Sequence, residues 1–147
     1  TVVHAASLER PVRLMIALEM IGYYDSAPGS QDYPYPAMSW LYPDRGDFIA
    51  VVGRMQDINA VRQVKAALLS SRDLSVYSMN APGFIPGIDF SDHLNYWQHD
   101  IPAVMITDTA FYRNKQYHLP GDTADRLNYQ KMAQVVDGVI TLLYNSK

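Results

Sequence analysis

Four short runs of apolar residues predict the strands of a sheet. Two of them, Arg13–Glu19 and Phe48–Gly53, are almost continuously apolar, which is typical of strands covered on both faces. Leu74–Ala81 and Ala103–Asp108 complete the predicted set. Because helical patterns separate these runs, the sequence indicates an α/β fold around a largely parallel sheet.

Helical spacing of apolar residues follows the second strand and recurs near the C-terminus. The predicted helices are Ile58–Arg72, a shorter one from Ser91–Asp92 to about Gln98, and Asn128–Tyr144. Asp57 or Asn59 is the expected N-cap of the first. The residues expected to face the sheet are Val61, Val64, Leu68 and Leu69 in the first helix, and Met132, Val135, Val136, Val139, Leu142 and Leu143 in the last. We therefore expect a three-layer α/β sandwich with helices flanking the sheet.

Composition narrows the class of protein. A chain of 147 residues with 48% hydrophobic and 18% charged residues fits one globular domain, spanning residues 1–147. The net charge of −3, without a basic run, argues against a nucleic-acid partner. No stretch reaches the ~20 apolar residues of a membrane span. Because cysteine is absent, any metal must be bound by His, Asp or Glu.

Glu19 is the first residue that suggests chemistry. It ends an apolar strand, where an unpaired carboxylate would be costly to bury. In open α/β sheets, ligands bind at the carboxyl ends of the strands, so a carboxylate there is well placed to meet a cation. The alternative is a carboxylate that reaches solvent or pairs with an arginine.

His118 lies in a loop after the fourth predicted strand, four residues before Asp122. Such a histidine offers a metal ligand, and Asp122 is a possible carboxylate to orient its imidazole, as metal-bound histidines usually require. The alternative, a solvated loop histidine, stays open.

Ser91, Asp92 and His93 form a sequence that could suggest hydrolytic chemistry. The simpler interpretation is a helix N-terminus, with Ser91 as the cap and Asp92 favoured by the helix dipole. The chain has no G-x-S-x-G motif, so a nucleophilic serine is not supported.

Three segments, Leu18–Asp25, Ile85–Asn114 and Tyr117–Tyr129, together resemble the di-zinc aminopeptidases. That family includes bacterial leucyl-type aminopeptidases and, more distantly, glutamate carboxypeptidases and glutaminyl cyclases. The resemblance spans roughly residues 13 to 143. It implies that Glu19 binds one zinc ion and His118 the other.

By the same resemblance, Ser91, Asp92, His93 and Asp122 belong to the substrate cleft or support the ligands. The family's first histidine, its bridging aspartate and its Glu-Glu pair, which contains the general base, come earlier in the chain. Thr1–Pro11 contains no such pair. Many members carry a tyrosine near the cleft that stabilises the transition state, and the nearby positions here are Ile88 and Phe90.

The resemblance therefore implies the C-terminal portion of a zinc exopeptidase domain, without its N-terminal part. The parent would hydrolyse N-terminal peptide bonds of peptide substrates with two zinc ions, whereas this chain alone would be inactive and hold zinc partly or not at all. A parent in the periplasm or outside the cell is favoured, although Thr1–Arg10 lacks the features of a signal peptide. A non-catalytic relative that acts as a binding module is the alternative.

We also expect an uncovered sheet edge around Leu14, Ile16 and Leu18, because the family's earlier strands would lie there. An exposed apolar edge favours pairing with a second copy of the chain as a two-fold dimer. Coverage by Thr1–Pro11, or a monomer that tolerates the open edge, are the alternatives.

Overall fold

A computed structural model describes residues 11–145, together with His4 and Ser7. Its described strands are β1 (Met15–Leu18), β2 (Phe48–Gly53), β3 (Ser75–Asn80) and β4 (Ala103–Thr107), and its described α-helices are α1 (Ile58–Leu68), α2 (His93–Trp97) and α3 (Tyr129–Asn145). The order of strands in the sheet is β1-β4-β2-β3. The predicted α/β fold is confirmed, and each predicted strand and helix forms within a few residues of its expected bounds.

The sheet is mixed, and its register decides which loops meet. β1 runs parallel to β4, β2 runs parallel to β3, and the central pair β2 and β4 is antiparallel. The carboxyl ends of β1 and β4 and the beginning of β2 therefore lie together at one end of the strands. We call this end of the sheet the site rim.

The two faces of the sheet are covered differently. On one face, α1 and α3 pack against buried residues that include Ile49, Val51 and Ile106. Gly138 lets α3 approach α1 closely, because a Cβ there would lie 2.8 Å from the Cα of Leu68. On the other face, α2 and loops cover alternate residues of the same strands, which explains why β2 is buried throughout.

Two details of burial differ from the prediction. β1 is an edge strand and is not covered on both faces, and 47% of Leu18 is exposed. Leu69, Val136 and Leu143 are also exposed: Leu69 is the C-cap residue after α1, and Val136 and Leu143 lie on α3 without facing the sheet. Asp57 does occupy the N-cap position of α1. Its carboxylate pairs with Arg54 at 2.8 Å instead of accepting from a helix amide.

The long connection between β1 and β2 contains one 3-10 turn, Pro36–Trp40. An isolated bridge between Asp25 and Gly46 ties its two ends together. The connection packs beside the sheet face that α2 covers, where its residues form part of a cavity. In the part of the chain that the structure describes, no helix is long and apolar enough to cross a membrane.

Candidate functional site

Glu19 lies at the site rim, directly after β1. Its backbone N–H donates to the carbonyl of Ile106 at 3.0 Å, which continues the pairing of β1 with β4. Ser91 Oγ donates to Glu19 Oε2 at 2.8 Å. The structure thus brings together the predicted metal ligand and the first residue of the Ser-Asp-His segment. It also corrects the predicted capping role of Ser91, because Asp92 is the N-cap of α2.

His93 lies beneath the cleft instead of facing it. The side chain is fully buried, and Nε2 lies 2.6 Å from the carbonyl oxygen of Ile88. The imidazole also contacts the ring of Trp97 edge-to-face, with centroids 4.4 Å apart. Burial lowers the pKa of His93. Its place in the structure is therefore that of a core histidine that fixes the loop carrying Ile88, while Asp92 is exposed at the start of α2.

His118 is an exposed residue in the left-handed region of backbone space, with φ of 58°. Its imidazole stacks on Tyr117 at 3.8 Å between centroids, and Tyr117 lines the same cavity as Glu19. The Asp122 carboxylate accepts a hydrogen bond from Asn114 Nδ2 at 2.8 Å. Among the described residues, no hydrogen bond joins Asp122 to His118, so the expected orienting contact is not present. The partner of Asp122 is instead Asn114, and their hydrogen bond joins the two ends of the loop that contains His118.

The donor types of Glu19 and His118, a carboxylate oxygen and an imidazole nitrogen, suit zinc. Within residues 11–145, however, no group of three or more His, Asp or Glu side chains is close enough to bind one metal ion. Glu19 and His118 thus have the chemistry of zinc ligands, and the described residues do not complete a site around either of them.

Asp108 is a residue at the site rim whose role the sequence did not reveal. Its buried carboxylate accepts hydrogen bonds from the backbone N–H groups of Gly22, Tyr23 and Ala110, at 3.0, 2.8 and 3.1 Å. Burial raises its pKa, against the opposing effect of these hydrogen bonds. The available signal was a carboxylate at the end of an apolar strand, the same signal that singled out Glu19.

The backbone around Asp108 is strained. Met20, Thr109 and Ala110 all have positive φ, of 55°, 74° and 53°, which is uncommon for residues other than glycine. Such strain persists only where the surroundings fix the chain, and it is concentrated at functional sites. Here the Asp108 carboxylate accepts from Ala110 and from Gly22, two residues after Met20, and it thereby fixes the residues that follow Glu19.

Arg113 is a second buried residue at this site that no pattern in the sequence indicated. Arg113 Nη1 donates to the carbonyls of Tyr23 and Phe48 at 3.0 and 2.9 Å, and its Nε donates to Gln31 Oε1 at 2.9 Å. The guanidinium lies 4.6 Å from the centre of the Phe48 ring. These contacts fasten the connection between β1 and β2 to the site rim. The sequence gives no local signal for them, because Arg113 lies in a loop among other polar residues.

A cavity of about 120 Å³ lies beside Glu19. Its floor comes from the strands and its walls from three loops. The floor and wall residues include Ala50, Val52, Tyr77, Met105, Thr107, Tyr33, Met38, Tyr42, Ile88, Phe90, Phe111 and Tyr112. Ile88 and Phe90, the two positions expected near the cleft, therefore do line it.

The chain is similar to a known protein family and to a longer bacterial protein. The family described as Peptidase family M28 matches residues 2–143 of the chain. YfbL of Escherichia coli (strain K12) is 96% identical over 145 residues, which are 99% of this chain and 45% of that protein. The chain thus spans less than half of the length of this relative.

Two solved structures from Legionella pneumophila share the fold. The LapA aminopeptidase superposes with a TM-score of 0.67 and 20% identity, over 96% of this chain and 33% of that one. LapB gives a TM-score of 0.67 with 16% identity, over 97% of this chain and 33% of that one. At these identities the likeness shows the fold alone.

Proposed function

Because the chain belongs to peptidase family M28, we propose that it forms part of the catalytic domain of an aminopeptidase-like exopeptidase that uses two zinc ions. The observation that carries this proposal is the contact between Ser91 and Glu19 beside an apolar cavity. A half-buried carboxylate at the end of a strand, oriented by a hydroxyl, is suited to binding a cation next to a substrate.

In this proposal, Glu19 binds one zinc ion and His118 the other. When bound, zinc polarises the scissile carbonyl and lowers the pKa of a coordinated water. Ser91 holds the carboxylate of Glu19 in one orientation through its hydrogen bond to Oε2. Asp108 fixes the turn after Glu19, so that the carboxylate keeps its position at the site rim. The cavity receives part of the substrate.

The remaining ligands and the general base would come from the longer protein. YfbL has more than half of its length outside the segment that this chain matches. We expect the chain alone to have negligible peptidase activity, because loss of a general base by itself typically costs ~10²–10⁴-fold in rate. The alternative is a protein that binds peptides without cleaving them. The experiment described next distinguishes this binding protein from a peptidase.

The test uses a chimera of YfbL in which the matched 145 residues are replaced by this chain's sequence. The chimera is stripped of metal by a chelator, reloaded with zinc and assayed with a panel of aminoacyl anilides. We expect hydrolysis that depends on zinc and is lost in Glu19→Gln, and no hydrolysis by the chain alone.

Two outcomes would contradict these expectations. A folded, zinc-loaded chimera that cleaves no anilide or peptide would favour the non-catalytic binding module. Robust zinc-dependent hydrolysis by the isolated chain would mean that it already contains a complete site.

A further inference from the structure

Residues 19–23, which begin with Glu19, are fixed to the site rim through the backbone of Tyr23. The Tyr23 N–H donates to the Asp108 carboxylate at 2.8 Å, and the Tyr23 carbonyl accepts from Arg113 Nη1 at 3.0 Å. Both backbone groups of Tyr23 are therefore held in place close to the end of β1. We call these residues the ligand segment.

Residues 114–122, which contain His118, form a loop that the side chain of Asn114 closes. Asn114 Nδ2 donates to the Asp122 carboxylate at 2.8 Å, and Asn114 Oδ1 accepts from the N–H of Gln116 at 3.0 Å. Asn114 is buried, so these hydrogen bonds are shielded from water. We call these residues the ligand loop, and their arrangement depends on where the Asn114 amide lies.

The guanidinium of Arg126 contacts both the ligand segment and the ligand loop. Nη2 donates to Tyr23 Oη at 3.1 Å, and Cζ lies 4.8 Å from the centre of the Tyr23 ring. Nη1 donates to Asn114 Oδ1 at 2.9 Å and to the carbonyl oxygen of Gly121 at 3.2 Å. One planar group, with its donors in a fixed fork, thus joins the two parts of the chain.

Arg126 adds a second tie to one that Arg113 already makes. Arg113 directly precedes the ligand loop, and its bond to the Tyr23 carbonyl ties the beginning of that loop to the ligand segment. Arg126 ties the end of the loop, at Gly121, to the side chain of the same tyrosine. Both ends of the loop are therefore fixed relative to the ligand segment.

We propose that Arg126 is a positioning residue that sets the separation of the two candidate zinc ligands, Glu19 and His118. It acts through Tyr23 on one side and through Asn114 on the other. Because the two ions of a two-metal site lie only about 3.5–4 Å apart, their ligands must keep a fixed spacing. This inference rests on the proposed function for the zinc ions, but the link through Arg126 can be measured without metal.

Amide hydrogen exchange of the chain, followed by NMR, tests the link in the absence of zinc. The readout is the N–H of Gln116, which bonds to Asn114 Oδ1 and belongs to the ligand loop. Arg126→Met should speed its exchange about tenfold, since a hydrogen bond from a charged group is lost from Asn114. Tyr23→Phe, which alters the other side of the guanidinium, should speed it roughly 2–10-fold.

The decisive variant combines the two substitutions. Tyr23→Phe should have no further effect on this amide in the Arg126→Met background, because both changes remove the same link. Arg126→Lys should restore the rate only in part, since an ammonium group cannot reproduce the fork. Arg62→Met, exposed on α1, and Tyr144→Phe, exposed near the end of α3, are the controls and should leave the rate unchanged.

Two exchange results would overturn the proposal. The first is an unchanged rate at Gln116 in Tyr23→Phe, or effects of the two substitutions that simply add. The second is equal acceleration at Gln116 and at the buried amides of β2, which would mean a general loss of stability.

Zinc affinity of the YfbL chimera tests the consequence for the metal site. Titration with a competing chelator should show that Arg126→Met binds zinc about 10–100-fold more weakly, the usual effect of losing a group that orients a ligand. The double variant should bind no more weakly than Arg126→Met alone. Unchanged affinity in Arg126→Met would overturn the positioning role.

The two experiments separate this inference from the proposed function. A chimera that binds no zinc would contradict the proposed function and with it the role of Arg126 toward the metal, although the exchange rates would still establish or exclude the link. A chimera that binds zinc and cleaves anilides equally well with and without Arg126 would overturn this inference and leave the proposed function in place.

Discussion

Ser91 Oγ donates a hydrogen bond of 2.8 Å to the carboxylate of Glu19, although 72 residues separate them in the chain. Glu19 ends β1, and Ser91 directly precedes the N-cap residue of α2. The loop that contains Ser91 also contributes Ile88 and Phe90 to the cavity. This contact therefore joins the proposed zinc ligand to a loop that lines the cavity.

Removal of this hydroxyl should weaken zinc binding. In the zinc-loaded chimera, Ser91→Ala should reduce zinc affinity about 10–100-fold, because partners that orient a ligand contribute that much in other metal sites. Titration with a competing chelator measures the affinity. Ser70→Ala is the matched control, since Ser70 is exposed and its hydroxyl donates to the carbonyl of Ala67, three residues earlier. Equal affinities of Ser91→Ala and the parent would exclude an orienting role.

Arg113 should be the main anchor of the connection between β1 and β2. Arg113→Met keeps an unbranched aliphatic stem but removes the guanidinium, so the carbonyls of Tyr23 and Phe48 lose this donor. We expect the free energy of unfolding to fall by roughly 3 kcal/mol or more, because buried hydrogen bonds to a charged group contribute ~1.5–3 kcal/mol each. Urea unfolding of the chain measures the change.

The control for this prediction is Arg45→Met. Arg45 is exposed and donates to the carbonyl of Ser26, so its loss should change stability by less than about 0.5 kcal/mol. Arg113→Lys should recover part of the stability, since an ammonium group cannot reproduce the fork of a guanidinium. Equal stability of Arg113→Met and Arg45→Met would refute the anchoring role.

His93 should make the fold sensitive to mild acid. Burial lowers its pKa below the ordinary value of 6.5, against the opposing effects of the Ile88 carbonyl and the carboxylates of Asp89, Glu19 and Asp92. Between the lowered pKa and 6.5, the unfolded chain binds more protons than the folded one. The free energy of unfolding therefore falls as the pH drops below 6.5, by at most about 1.4 kcal/mol per pH unit from this group.

The measurement is urea unfolding of the parent and of His93→Gln between about pH 7.5 and 5, the range in which histidine changes its charge. The stability lost on acidification should be smaller in His93→Gln, because glutamine does not titrate. His99→Gln, at an exposed position, should lose as much stability as the parent. Identical pH profiles for all three proteins would remove His93 as the cause.

The open edge of β1 should lead to self-association of the isolated chain. Within residues 11–145, β1 pairs with β4 alone, and a groove beside it is lined by Leu14, Ile16 and Leu143. We expect a concentration-dependent dimer by light scattering, because an exposed apolar edge favours pairing with a second copy. Leu18→Lys should shift the protein to a monomer, whereas Leu41→Lys, in the exposed part of the long connection, should not. A monomer at every concentration would rule the dimer out.

The strands and helices followed from the sequence because their patterns are local. Phe48–Gly53 is apolar at every position and became a strand with the predicted bounds. Val61, Val64 and Leu68 recur at helical spacing and face the core of the sheet. The position of Glu19 at the carboxyl end of a strand also followed, since it depends only on where an apolar run ends. The sequence also offered His118 as a candidate metal ligand, with a solvated loop histidine as the alternative, and the resemblance favoured the ligand.

Only the tertiary structure decided how these elements form a site. Ser91 reaches Glu19 because β1 pairs with β4, and no local pattern specifies that pairing. The cavity combines strand residues with three loops, and Tyr77, Ala50 and Thr107 meet in its floor only through the register of the sheet. Arg113 has no local signal in the sequence, and the burial of both Arg113 and Asp108 depends on the packing of the loops around them. Which side chains are buried, and which distant residues lie side by side, depends on how the layers pack. The spacing of apolar residues, in contrast, is a property of the chain itself.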